Sequence, residues 1–143
     1  MPIRKANAEW NGTLSRGNGK IFSDSGSLNA PYSFLSRFEN GSGTNPEELL
    51  GAAHAGCFSM ALAMHLEQSG FIPNKIFTSA HVHIDKGING FVISMIELET
   101  QCEINGIDEK TFAEKAEAAK KGCPVSMALA STNITLKARL LRE

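Results

Sequence analysis

Three cysteines, Cys57, Cys102 and Cys123, are the residues of this 143-residue chain best suited to chemistry. A thiol reacts as its thiolate, so each position must be asked what would draw off its proton. Cys123 stands between Gly122, a helix-ending residue, and Pro124, which fits the first position of a new helix. There its sulfur faces backbone N–H groups without intrahelical partners, and these favour thiolate. A cysteine chosen for its size at a helix junction would read the same way. Cys57 follows Pro46 by eleven residues within one apolar helix, beyond the turn over which a helix dipole acts. It is either a small core hydrophobe or a reactive thiol beneath a side-chain cation. Arg37 is the nearest upstream candidate for that cation and Arg16 the second, though each alone also reads as a solvated charge. Cys102 alternates with apolar residues on a strand and points into a core.

An odd number of cysteines at wide spacing is not a disulfide scaffold, and no C-x-x-C occurs to suggest a zinc ribbon or a thioredoxin-type motif. In a reducing compartment, disulfides are transient and catalytic rather than lasting. His81, His83 and Asp85 share a strand face where a metal is imaginable, but that face is the polar side of a clean alternation and reads as solvent-facing. His54 lies one turn before Cys57 and reads as a packed or interface histidine, or as a base. The Arg16–Lys20 run lacks the phosphate-loop spacing, and no G-x-S-x-G elbow is present.

The elements that must position these residues form an α+β pattern. Ala8 to Leu14 and Gly19 to Ser23 read as strands around the turn Arg16-Gly17-Asn18-Gly19, and Tyr32 to Phe38 as another short strand. Asn45, Pro46, Glu47 and Glu48 open a helix expected to run to Ser69, with Gly70 as terminator and Glu48 closing a capping box on Asn45. Its middle, from Gly51 to Leu62, is small and apolar almost all round, the mark of a helix covered on most sides. Two half-buried antiparallel strands follow, Ala80 to Asp85 and Ile96 to Ile104. A helix from Asp108 to Lys121, the short helix at Pro124 and a strand from Ile134 to Leu140 complete a single domain over residues 1–143.

Hydrophobic residues make up 42% and charged residues 20% of the chain, with a formal net charge of -1. Nothing in that balance steers it toward nucleic acid or an anionic membrane. The first ten residues carry charge without an apolar stretch behind it, and the run Ala61 to Met64 is too short to span a bilayer. The expected location is the cytoplasm.

The segment Gly43-Thr44-Asn45-Pro46-Glu47-Glu48-Leu49-Leu50-Gly51-Ala52-Ala53-His54-Ala55-Gly56-Cys57-Phe58-Ser59-Met60-Ala61-Leu62 resembles the signature of the OsmC/Ohr family, the osmotically inducible protein C and organic hydroperoxide resistance proteins. Gly122-Cys123-Pro124-Val125-Ser126 resembles the family's second signature. Trp10-Asn11-Gly12, the Arg16–Lys20 turn and Arg37-Phe38-Glu39 also match, so the resemblance covers nearly the whole chain and is closer to the OsmC branch. It implies an intertwined homodimer of antiparallel sheets around two long central helices. It implies a thiol peroxidase with peroxidatic Cys57, resolving Cys123, and an activating arginine–glutamate pair formed by Arg37 and Glu47. In the Ohr branch the arginine comes from the region of Arg16. The implied substrates are organic hydroperoxides and, less efficiently, hydrogen peroxide, with Phe58 and Met60 favouring bulky ones. The implied reductant is a dithiol such as a dihydrolipoyl group, with no metal, flavin or haem.

One physical constraint bears on that arrangement. Glu47 and Cys57 are ten residues apart, about 15 Å along a helix axis, and cannot meet within one straight helix. Two such helices packed antiparallel across a two-fold axis bring Glu47 of one chain near Cys57 of the other. Two rivals stand beside the peroxidase. One is another thiol reaction, such as acyl transfer at Cys57. The other is a non-catalytic protein that senses oxidation or binds a small lipid-like molecule.

Overall fold

The computed structural model describes residues 1–141. The chain divides into two compact units, Met1–Leu49 and a second from Leu50 onward, and the division falls within the first turn of the long helix.

The first unit is an antiparallel sheet of β1 (Ala6–Asn11), β2 (Asn18–Ser23) and β3 (Asn29–Tyr32), in that order. The expected strand over Tyr32 to Phe38 is instead a short helix, α1 (Phe34–Phe38). Its aromatic residues suit a strand, but Ser33 and Ser36 lie one helical turn apart and cap each other. The Ser33 hydroxyl accepts from the Ser36 N–H at 3.1 Å, and the Ser33 N–H donates to the Ser36 hydroxyl at 2.8 Å. Ser36 then donates to the Thr44 carbonyl at 2.7 Å, which fastens α1 to the loop that leads into the long helix.

That helix, α2 (Pro46–Gln68), starts and ends on its sequence signals. The Glu48 N–H donates to the Asn45 side chain at 2.7 Å. Gly70, at φ +86°, adopts the left-handed conformation that lets the Phe71 N–H reach back to the Leu66 carbonyl. The Glu48 carboxylate does not return to Asn45; it accepts from the Thr44 hydroxyl at 2.7 Å, a nearer partner just outside the helix.

In the second unit, β4 (Lys75–Gly87) and β5 (Gly90–Glu103) form a long antiparallel hairpin, and β6 (Asn133–Leu141) pairs with the other edge of β5. That last pairing is parallel, contrary to an all-antiparallel expectation. The connection explains it: α3 (Glu109–Gly122) and α4 (Pro124–Ala128) carry the chain back to the start of β5, as a parallel neighbour requires. Phe58, Leu62 and Leu66 of α2, Ile96, Leu98 and Cys102 of β5, and Phe112, Ala116 and Ala119 of α3 form one buried cluster. Gly51 lets α2 approach β4 closely, since a Cβ there would lie 3.3 Å from Val82 Cγ2. Hydroxyls tie helix to sheet, with Ser59 donating to Thr78 at 2.7 Å and Thr78 bonded to Thr100 at 3.0 Å.

Candidate active site

The junction of α3 and α4 is built around Cys123. Its backbone N–H closes α3 on the Ala119 carbonyl, and its side chain caps α4, with Pro124 at the first position. The Ser126 N–H donates to the Cys123 sulfur at 3.3 Å, and the Ser126 hydroxyl lies 3.2 Å from the same sulfur. Both residues are buried. Burial, the largest single influence, pushes the Cys123 thiol up. The interactions with the Ser126 hydroxyl, the Ser126 N–H, Cys57 and the Val125 backbone together outweigh it and leave Cys123 below an ordinary thiol.

Cys57 is half-buried on α2 and close enough to Cys123 for each thiol to influence the other. Burial raises its pKa first; the Val125 N–H works against that, and Cys123 adds to the rise. The two thiols expected to act together are therefore neighbours, sixty-six residues apart in sequence. The cap acts on Cys123, whose pKa is lowered, whereas that of Cys57 is raised. Among the described residues of the unit that holds Cys57, no guanidinium or ammonium acts on it.

The expected arginine–glutamate pair forms within the first unit. Arg37 Nη2 donates to Glu47 Oε1 at 2.8 Å, and Nε lies 3.2 and 3.3 Å from the two carboxylate oxygens. The Glu47 side chain is 8% exposed and that of Arg37 36%. Side-on contact of this kind fixes the plane of the guanidinium. Arg16, the other candidate, has no carboxylate partner among the described residues. Arg37 also borders a cavity of about 400 Å³ lined by Trp10, Leu14, Tyr32, Phe34 and Phe38. Tyr32 meets Trp10 edge-on at 5.2 Å between ring centres.

Only one face of α2 is covered. Gly51, His54, Phe58, Leu62 and Leu66 are buried, whereas Ala52, Ala53, Gly56, Met60 and Met64 form an exposed stripe. Phe58 is fully buried in the core and cannot face a substrate as the sequence suggested; Met60, 77% exposed, can. The helix has a mean hydropathy of 1.4 over eighteen residues and is long enough to cross a bilayer, though the short run Ala61 to Met64 alone is not. Length and apolar composition alone do not distinguish a spanning helix from the central helix of an assembly.

Cys102 is sealed in the core, where burial and then the neighbouring Glu103 charge push it up to about 11. His81 and His83 face Glu99 and Glu97 across β4 and β5, at 3.9 and 2.5 Å. His54 is fully buried and its Nε2 is 2.7 Å from the Ser126 hydroxyl. Ser126 is the residue that sequence reasoning passed over. Its signal was present, because a serine three residues after an N-cap cysteine is placed to return a hydrogen bond to it.

Residues 39–139 match the family described as OsmC-like protein. The chain is 49% identical over 138 residues to the protein named Peroxiredoxin OsmC from Escherichia coli strain K12, covering 96% of each. Among solved structures, it is similar to the organic hydroperoxide resistance protein OhrB of Bacillus subtilis, with a TM-score of 0.68, 25% identity and coverage of 96% and 98% of the two chains. An OsmC-like protein of unknown function from Vibrio cholerae shares the fold, with a TM-score of 0.77, 15% identity and coverage of 96% and 99%. With both cysteine signatures in place and the α+β architecture matched from end to end, this chain belongs to the OsmC-like family.

Proposed function

We propose that the chain is a cysteine-based thiol peroxidase that reduces organic hydroperoxides, and hydrogen peroxide less efficiently, to alcohols. The observation that carries this reading is that Cys57 neighbours Cys123, whose sulfur caps a helix N-terminus and accepts from the Ser126 N–H, a setting that favours thiolate. Similarity to Peroxiredoxin OsmC of Escherichia coli and to the organic hydroperoxide resistance protein OhrB of Bacillus subtilis supports it. The Cys57 thiolate attacks the terminal peroxide oxygen, the O–O bond breaks, and the alkoxide takes up a proton and leaves as alcohol. Cys57 is then a sulfenic acid. The Cys123 thiolate attacks the Cys57 sulfur, the S–O bond breaks, and hydroxide takes up a proton and leaves as water. A dithiol, such as a dihydrolipoyl group, reduces the resulting disulfide by two thiol exchanges. The chemistry needs no metal, flavin or haem.

Cys57 needs a cation to ionise, since its own unit raises its pKa. We assign that role to Arg37, held by Glu47, delivered from the partner across a two-fold axis. The apolar exposed stripe of α2 supports such a homodimer, because a folded soluble chain rarely leaves a contiguous apolar face of this kind bare. The aromatic cavity beside Arg37 suits the hydrocarbon part of an organic hydroperoxide. In this reading the whole chain works as one OsmC-like domain in the cytoplasm. The test is steady-state consumption of an organic hydroperoxide with dihydrolipoamide as reductant. Many equivalents consumed per chain are expected. Consumption that stops at one equivalent would instead identify a sensor or a small-ligand binder.

A further inference from the structure

Beside the two cysteines stands a polar chain that this mechanism does not yet use. His54 is fully buried, its Nε2 is 2.7 Å from the Ser126 hydroxyl, and its Nδ1 is buried without a hydrogen-bond partner among the described residues. Ser126 is 5% exposed, and its hydroxyl lies 3.2 Å from the Cys123 sulfur. Capping α4 requires only the Ser126 N–H, which already reaches that sulfur at 3.3 Å. The hydroxyl and the imidazole behind it add nothing to the cap. Leaving one imidazole nitrogen unpaired in a core costs about 1–3 kcal/mol, so an apolar residue would serve packing better.

The direction of the chain follows from that unpaired nitrogen. If Ser126 donated to Nε2, Nδ1 would carry a proton with no acceptor, and a buried N–H without an acceptor is the rarest kind of orphan. If Nε2–H donates to the Ser126 oxygen, Nδ1 is only an unused acceptor, and the Ser126 O–H is free to turn to Cys123 once that sulfur, which as a thiol donates to the Ser126 oxygen, has become a thiolate. Burial lowers the His54 pKa and keeps the ring neutral, as this direction requires. On a Cys123 thiolate the Ser126 hydroxyl then joins the Ser126 N–H, which already donates to that sulfur at 3.3 Å.

We propose that His54 and Ser126 are a buried positioning pair for Cys123, with His54 orienting the Ser126 hydroxyl so that Cys123 is held as a thiolate for the disulfide-forming and disulfide-opening steps. The proposal rests on the reading of Cys57 and Cys123 as the redox pair. On oxidation, the Cys123 thiolate forms the S–S bond as hydroxide leaves Cys57 and becomes water. On reduction, an incoming dithiol thiolate attacks Cys57, the S–S bond breaks, and Cys123 leaves with the electron pair. The Ser126 O–H faces that developing charge in both directions, and a better-stabilised leaving thiolate departs faster.

The test uses the whole chain with Cys57→Ser and Cys102→Ser, so that Cys123 is the one thiol, titrated by the ultraviolet absorbance of its thiolate. Ser126→Ala and His54→Leu are each expected to raise the titration midpoint by about one pH unit, a roughly tenfold loss of thiolate near neutrality. His54→Gln, which keeps an N–H donor at similar reach, should recover much of the shift, which a purely packing role would not. Should His54→Leu fail to fold, Ser126→Ala carries the test alone, since it removes one oxygen and keeps the N–H cap. In the chain with all three cysteines, Ser126→Ala should slow disulfide formation about threefold relative to the preceding sulfenate formation, the tenfold loss of thiolate being partly offset by its greater nucleophilicity. A midpoint unchanged by Ser126→Ala overturns the proposal even if peroxide turnover is robust. A raised midpoint upholds the pair's effect on Cys123 independently of whether peroxide is turned over.

Discussion

The guanidinium of Arg37 is gripped side-on by the carboxylate of Glu47, with its shortest contact at 2.8 Å and Nε near both oxygens. Removing either member frees the other. Arg37→Ala is expected to raise the Cys57 pKa and slow sulfenate formation by about tenfold or more, since an adjacent cation moves such a group by about 1–3 units. Glu47→Ala should slow it too, whereas Glu48→Ala, which removes the partner of Thr44, should affect mainly stability. The pH dependence of single-turnover sulfenate formation reads all three. A larger loss in Arg16→Ala than in Arg37→Ala would move the activating charge to the β1–β2 turn.

Cys57→Ser should abolish turnover, and Cys102→Ser should leave it nearly intact. Cys102 is fully buried with its thiol near 11, so it should also resist alkylation near neutral pH in the folded chain. Peptide mapping after one equivalent of peroxide should find Cys57 joined to Cys123. Finding Cys102 in the disulfide would show the resolving residue to be misassigned.

The exposed stripe of α2 makes a prediction about assembly. In a two-fold interface Met60 is used twice, and burying one such side chain contributes about 1.5–3 kcal/mol. Met60→Asp should therefore dissociate the dimer and abolish turnover while the isolated chain keeps its fold. Sedimentation of the unaltered protein as an active monomer at micromolar concentration would remove the basis for this interface.

His54 makes a prediction about acid. Burial lowers its pKa in the fold below the ordinary 6.5. As pH falls through 6.5 the unfolded chain takes up this proton first, so it binds more protons than the native state and stability falls with pH. The contribution is complete above that value and is lost progressively below it. Denaturant midpoints measured on either side of pH 6.5 should show this loss in the unaltered protein and a smaller one in His54→Gln.

Much of this arrangement is legible in the sequence because its signals are local. Pro46, Gly70, Asp108 and Pro124 mark helix ends whose rules are set within a few residues, and all four lie where those rules put them. Cys123 is readable as an N-cap for the same reason. The segment Phe34–Phe38 misleads because its strand-like aromatic pattern competes with two serines that cap each other. The parallel pairing of β6 is not visible in sequence, since strand direction depends on where a crossover lands and not on alternation. The acidity of Cys57 is not readable in the same way, because Val125 and Cys123 reach its sulfur only after distant segments meet.

The parallel partner of β5 also has a consequence for the order of assembly. The β4–β5 hairpin turns between Gly87 and Gly90 and can zip from there, a local event on the microsecond scale. The other edge of β5 waits for α3 and α4 to return the chain, and longer closures carry more entropy. Cys123 travels on that return path while Cys57 sits on a helix that precedes the hairpin. The two sulfurs therefore meet at a late stage of folding, after the hairpin has formed. A chain caught before that stage holds Cys57 without its partner thiol, and any oxidation there is left to meet a second peroxide or a stray thiol instead of Cys123.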